Sequence, residues 1–82
     1  MASQALNDEV LYFTVQVGSF NKKSNALKLC DELVRNGFDA SIARTEGEGP
    51  YKVRVGKLNT RGEAEDLAKK LRAEGLPANI LP

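Results

Sequence analysis

The chain has no histidine, no tryptophan, one cysteine and no apolar run long enough to cross a membrane. No pair of carboxylates falls on the face predicted to be open either, so nucleophilic and metal chemistry lack their usual parts. Cys30 has no partner for an internal disulfide, and its place in a helical pattern of apolar residues predicts a small core side chain. These absences favour a binding module over an enzyme, and no cofactor is expected.

The chain also has little net charge. Lysine and arginine number 12 and the acids number 11, which leaves a net charge of +1. So weak a field does not attract nucleic acid by itself. A length of 82 residues corresponds to one domain, which we place at residues 12–82. Residues 1–11 carry no signal-peptide pattern and are interpreted as a linker or the edge of the segment.

An internal repeat organises the domain. A shift of 38 residues aligns residues 13–44 with residues 51–82, and ten of the 32 aligned pairs are identical. The identical pairs include apolar residues at strand and helix spacing, and glycines where helices would end. The domain is therefore predicted to contain two copies of one strand-helix-strand unit.

The first copy predicts a strand over residues 12–20, in which apolar and polar side chains alternate. A helix of roughly 13 residues follows, because apolar side chains recur at helical spacing. Asn21 and Ser24 are its cap candidates, and Gly37 closes it. Residues 38–44 are expected to return as a second strand.

The second copy has clearer helix boundaries. Thr60 and Glu63 form a capping box that predicts a helix from about Arg61, and Gly75 ends that helix. Residues 76–81 supply the last strand. Between the copies, residues 45–50 carry two glycines and a proline, which predicts an exposed hairpin loop.

The resulting order, β-α-β-β-α-β, is an α+β fold of the ferredoxin-like or RNP-like kind. Right-handed crossovers place both helices on one face of a four-stranded antiparallel sheet, with strands one and three central. The other face is left open for function. Strict alternation predicts that six central residues point toward that open face: Thr14, Gln16, Gly18, Lys52, Arg54 and Gly56.

This predicted open face suits a carbohydrate that carries occasional carboxylates. Gln16, Thr14 and Ser19 offer amide and hydroxyl partners for sugar hydroxyls, and Lys52 and Arg54 could pair with an acidic sugar. The alternative is that these residues are simply solvated on a bare sheet. Whether Asp39, Asn79 and Leu81 on the edge strands extend the site stays open.

The predicted fold also allows three other functions. An RNP-like module needs aromatic rings on the central strands, but Phe13 and Tyr51 share parity with the core valines, which leaves only Tyr12 at the strand edge. A protein-interaction module would need an exposed apolar patch. A small phosphate-ester hydrolase could recruit Arg54 and asparagines 21 and 59, but topology alone is a weak argument for function.

Gly18 and Gly56 stand near the ends of their strands. They could mark an anion site at a helix N-terminus, but the surrounding residues lack the further glycines and the lysine-hydroxyl pair of a phosphate loop. A bend or β-bulge explains a glycine at a strand end more simply.

Two segments at a fixed separation resemble the SPOR domain family: VQVGSF at residues 15–20 and YKVRVG at residues 51–56. The similarity extends over residues 12–82. It implies a non-catalytic module of the bacterial cell envelope, in the periplasm or cell wall, that binds peptidoglycan glycan strands without stem peptides and directs its parent protein to the division septum. Neither nucleic acid nor membrane contact is implied, and a monomer is expected.

The resemblance also suggests contact residues. The family's strand-one glutamine and the serine three residues later correspond to Gln16 and Ser19, and its variable third-strand positions correspond to Lys52 and Arg54. Thr14 and Gly18 flank these positions. The second copy has Lys57 where the first has Ser19, so one site centred on strand one is expected rather than two equivalent sites.

Overall fold

The computed structural model describes residues 12–82, so the predicted linker at residues 1–11 lies outside the described part. The elements follow in the predicted order: β1 (Phe13–Phe20), α1 (Lys23–Arg35), β2 (Ala40–Arg44), β3 (Tyr51–Leu58), α2 (Arg61–Ala73) and β4 (Asn79–Leu81). The four strands form one sheet in the order β2-β3-β1-β4, and every neighbouring pair is antiparallel. The predicted fold and its central strand pair are confirmed.

The core lies between the sheet and the two helices. Valines of β1 and β3 meet leucines and alanines of α1 and α2, and the small alanine side chains let the helices approach the sheet closely. The buried residues are Val15, Val17, Ala26, Leu33, Val53, Val55, Ala64, Ala68, Leu71 and Ala78. Phe13 and Tyr51 pack against this cluster, as the parity of their positions predicted. Within residues 12–82 no polar side chain is fully buried.

Cys30 occupies the predicted apolar face of α1. It is half-buried against the core. Burial, with a smaller contribution from the negative charge of Asp31, raises the pKa of its thiol above the ordinary value. The thiol is therefore protonated at neutral pH and packs as a small apolar side chain.

The two helices begin differently. α2 has the predicted capping box: the Glu63 amide donates to the Thr60 hydroxyl oxygen at 3.2 Å, and the Glu63 carboxylate accepts from the Thr60 amide at 3.3 Å. The N-cap of α1 is Lys22, whose side chain makes no cap hydrogen bond in the described structure. The prediction that Asn21 or Ser24 caps α1 was wrong, because Asn21 turns away and Ser24 lies inside the first turn.

Replacing Thr60 with alanine should lower the free energy of unfolding by about 1 kcal/mol, because the first turn of α2 loses a partner for its amide groups. Urea denaturation followed by circular dichroism measures the change. Ser24→Ala in α1 is the matched control, and we expect it to change stability by less than about 0.5 kcal/mol. Equal effects of the two substitutions would contradict the assigned capping roles.

Each central strand contains one extra residue relative to its partner. Val17 and Gly18 of β1 together stand opposite Val53, because the register moves from Gln16 opposite Arg54 to Gly18 opposite Val53. A second shift, between Val15 and Phe13, leaves two residues of β3 opposite one of β1. Such β-bulges reverse the alternation of side chains beyond them.

Candidate functional site

The β-bulges change which residues reach the open face. A Cβ added at Gly18 would lie 3.4 Å from Leu29 of α1, and one added at Gly56 would lie 2.9 Å from Leu67 of α2. Both glycines therefore face the helices. Their predicted place on the open face was wrong, and the alternative that strand-end glycines mark bulges is confirmed.

The same bulge brings two candidate residues together. Gln16 and Ser19 are three positions apart, so strict alternation would put them on opposite faces of the sheet. With the extra residue in β1, Gln16 pairs with Arg54 and Ser19 pairs with Lys52 on the open face. Residues that are directly opposite on antiparallel strands share a face, so the four side chains form one polar surface.

A hydrogen bond orients the middle of this surface. The Arg54 Nε–H donates to the Gln16 Oε1 at 3.3 Å, and both side chains are partly buried. Because the guanidinium holds the amide oxygen, the amide nitrogen of Gln16 keeps its donors for another partner. The remaining guanidinium N–H groups of Arg54 are likewise available to a ligand.

Two edge-strand residues extend this row. Ser41 of β2 pairs with Arg54, and Asn79 of β4 pairs with Gln16, so one row of polar side chains crosses all four strands. Asn79 and Leu81 both lie on the open face, since Leu81 pairs with Thr14. The sequence left their contribution open and did not identify Ser41. The Thr14 hydroxyl donates to the Val55 carbonyl oxygen at 3.1 Å, which leaves its oxygen as an acceptor.

The loop over residues 45–50 closes one end of the surface. The Gly49 amide donates to the Asn21 Oδ1 at 3.0 Å, which ties this loop to the end of β1. Gly49 is buried with φ +58°, and a Cβ there would lie 2.6 Å from the Ser19 Oγ. Only glycine fits such a close approach without displacing Ser19. Asn21 therefore supports the site as a loop anchor.

The cations of the surface differ in their surroundings. The Lys52 ammonium donates to the Glu48 carbonyl oxygen at 3.2 Å, so it is held on the loop. Within residues 12–82 the one ion pair joins Arg61 and Glu65 on α2, so Arg54 meets no carboxylate at salt-bridge distance in that range. Arg54 is consequently the better candidate to pair with an anionic ligand.

A cleft of about 660 Å³ opens beside Arg54, at the end of the face away from the loop. Its volume lies within the range of small-ligand sites. Tyr12 and Lys57 line it, together with Thr14, Asp39 and Ser41. Lys57 was missed by the sequence reasoning, because strict alternation placed it toward the helices. The signal was Gly56, since a glycine inside a strand pattern often marks a bulge.

The described residues bring together no metal site and no membrane-spanning helix. Within residues 12–82 no three cysteine, aspartate or glutamate side chains come together in a way that could hold a metal ion. No helix in the described range is long and apolar enough to cross a membrane. The chemistry that the open face offers is hydrogen bonding and charge pairing with a polar ligand.

Comparisons with known proteins agree with this fold. A family model described as the SPOR domain matches residues 12–82. The solution structure of the peptidoglycan binding domain of the B. subtilis cell wall lytic enzyme CwlC is similar, with 30% sequence identity and a TM-score of 0.71. The similarity covers 85% of this chain and 86% of that one. No curated protein matches the chain.

Proposed function

This chain belongs to the SPOR domain family, and from that premise we propose that its open sheet face binds peptidoglycan through the glycan strands. The chain acts as a non-catalytic binding module of the cell envelope, in the periplasm or cell wall. It prefers strands whose stem peptides have been removed, and it thereby directs a parent protein to the division septum. The similar domain of the cell wall lytic enzyme CwlC is itself described as peptidoglycan binding.

One observation carries the proposal: the Gln16–Arg54 pair at the centre of the face. The pair presents amide and guanidinium donors side by side, between Ser41 and Asn79 of the edge strands. Sugar hydroxyl and acetamido groups need such closely spaced donors and acceptors. Thr14 and Ser19 add hydroxyl groups along β1, so the candidate contacts follow a line that suits an extended chain of sugars.

The preference for bare strands follows from the chemistry of the lactyl group on N-acetylmuramic acid, the acidic sugar of the glycan strand. Its carboxylate is joined to the stem peptide in intact peptidoglycan and becomes a free anion when the peptide is removed. Arg54, which meets no acid at salt-bridge distance within residues 12–82, can then form a charge-assisted hydrogen bond with it. Gly18 faces α1 and contributes to the site through the bulge that aligns Gln16 with Ser19.

The nucleic-acid alternative finds little support in the same surface. Phe13 and Tyr51 pack toward the core, so Tyr12 is the one aromatic ring on the open face among residues 12–82. Stacking of several bases needs several such rings. With a single aromatic ring for stacking in that range, Lys52, Arg54 and Lys57 would bind RNA weakly, and that binding would fall steeply with salt.

The proposal is tested by comparing Arg54→Gln with Lys52→Gln. We expect Arg54→Gln to weaken binding of glycan fragments without stem peptides about tenfold, because a charged hydrogen-bond donor is lost. Lys52→Gln should weaken this binding less than about twofold, because the Lys52 ammonium already donates to the backbone carbonyl oxygen of Glu48. Titration of the ¹⁵N-labelled domain gives both affinities and shows which amides shift.

Amide shifts should map to β1 and β3 in the wild-type chain. Shifts confined to the outer faces of α1 and α2 would contradict the proposed site. Equal affinities for the wild type and both variants would contradict the role of the cations. Binding of an RNA oligonucleotide of matched length, in preference to the glycan, would support the RNP-like alternative.

A further inference from the structure

The open face has two ends that the internal repeat relates to each other. Gln16 and Ser19 of the first copy correspond to Arg54 and Lys57 of the second. The bulge of each copy carries the later residue of its pair onto the open face. Ser19 therefore lies at one end of the face, beside Lys52, and Lys57 lies at the other end, while Gln16 and Arg54 pair in the middle.

The Lys57 end of the face contains the cleft, which Tyr12 also lines. The Lys57 ammonium lies 5.7 Å from the centre of the Tyr12 ring, a distance at which the ring attracts a cation. Arg54 lines the same cleft. Lys57 and Arg54 therefore line one cleft, with the Tyr12 ring beside the Lys57 charge.

This arrangement depends on Gly56. Its φ of +82° belongs to the left-handed region, where a side chain is strained, and a Cβ would press against Leu67. The backbone turns here so that Gly56 faces α2 and the next residue faces the cleft. The position of Lys57 is thus fixed by the bulge rather than by strand alternation.

We propose that the cleft at Tyr12 and Lys57 is a subsite for the acidic sugar of the strand. Lys57 and Arg54 bind the free lactyl carboxylate, while Gln16 and Ser19 bind neutral sugar groups further along. The inference rests on the proposed function. It assigns the preference for glycan without stem peptides to the Lys57 end of the face. From Thr14 to Ser19 the strand extends about 17 Å at roughly 3.4 Å per residue, so the two ends contact different sugars.

Asp39 adds a negative charge to the cleft. Asp39 lines the same cleft as the two cations, so a bound carboxylate experiences one repulsive charge there. Asp39 is suited to accept hydrogen bonds from sugar hydroxyls on the β2 side. The substitutions Lys57→Gln and Asp39→Asn should consequently change the preference for an acidic sugar in opposite directions.

The experiment compares two ligands of equal length: glycan fragments without stem peptides, and chito-oligosaccharides, which lack the lactyl carboxylate. Calorimetry gives both affinities for each variant. Lys57→Gln should reduce the preference for the carboxylate-bearing ligand about two- to fivefold, with little change toward the chito-oligosaccharide. Asp39→Asn should increase that preference. Tyr12→Leu should reduce it, and Tyr12→Phe should leave it unchanged, because the ring positions Lys57.

The outcomes separate the subsite from the function. If the wild type binds the bare glycan and Lys57→Gln keeps the full preference, the subsite is wrong and the proposed function stands. A Lys57→Gln variant whose affinity falls equally for both ligands would also overturn the subsite, since the Lys57 charge would then not distinguish the carboxylate-bearing ligand. If the wild type binds neither ligand, the proposed function fails together with the subsite.

Discussion

Changing Leu71 to alanine should lower the free energy of unfolding by about 2 to 5 kcal/mol. Leu71 is fully buried on the inner face of α2, among the valines of the sheet, so its loss leaves a cavity. A domain of this size has a total stability of roughly 4 to 12 kcal/mol. The substitution therefore removes a large part of the stability, which urea denaturation measures.

Leu27→Ala provides the matched control. Leu27 is a leucine on the other helix and is 43% exposed, so its truncation creates no closed cavity. We expect its effect to stay below about 0.5 kcal/mol. A loss for Leu27→Ala as large as that for Leu71→Ala would contradict the location of the core between the helices and the sheet.

Gln16→Ala should weaken binding of glycan fragments without stem peptides by about tenfold or more. The change removes the amide that we propose contacts the ligand, and it also removes the acceptor that orients the guanidinium of Arg54. Gln16 lies on the open face, away from the core, so the free energy of unfolding should change by less than about 0.5 kcal/mol. Calorimetry and urea denaturation measure the two effects separately.

Gln16→Glu separates the two roles of the amide. A glutamate keeps an acceptor for Arg54 but adds a negative charge beside it, which opposes a bound carboxylate. We expect affinity for the bare glycan to fall while affinity for a chito-oligosaccharide falls less. Unchanged affinity of Gln16→Ala for the bare glycan would show that the centre of the face is not the site.

The element order was predictable because each helix and strand shows its own periodicity and the repeat shows it twice. Thr60 and Gly75 set the ends of α2 through local hydrogen bonds and backbone conformation. Such local effects can be predicted from the sequence. Strands β2 and β4 are shorter than predicted, beginning at Ala40 and Asn79. The Asp39 carbonyl oxygen still accepts from the Gly56 amide at 2.9 Å, but regular pairing of β2 with β3 begins at Ala40.

The site was less predictable because β-bulges depend on pairing between distant strands. Alternation alone placed Gly18 and Gly56 on the open face and Lys57 toward the helices, and the structure reverses all three positions. The register of β1 against β3 decides these positions, and it involves residues nearly 40 apart in the chain. The family resemblance suggested Gln16 and Ser19 together, and the bulge supplies the physical reason why they share a face.

The loop anchor was also beyond sequence reasoning. Asn21 follows a strand and precedes a helix, which is the usual place of a cap residue. The folded chain brings Gly49 beside it, and the side chain bonds there instead. A contact between residues 28 positions apart has no local signal, so the sequence favoured the cap.

Cosedimentation of the domain with purified peptidoglycan, before and after amidase treatment, tests the central claim most directly. We expect more wild-type protein in the pellet after the stem peptides are removed, and we expect Gln16→Ala to stay in the supernatant with both preparations. Wild-type protein that sediments equally with both preparations would contradict the preference for bare strands. Protein that sediments with neither would contradict peptidoglycan binding itself.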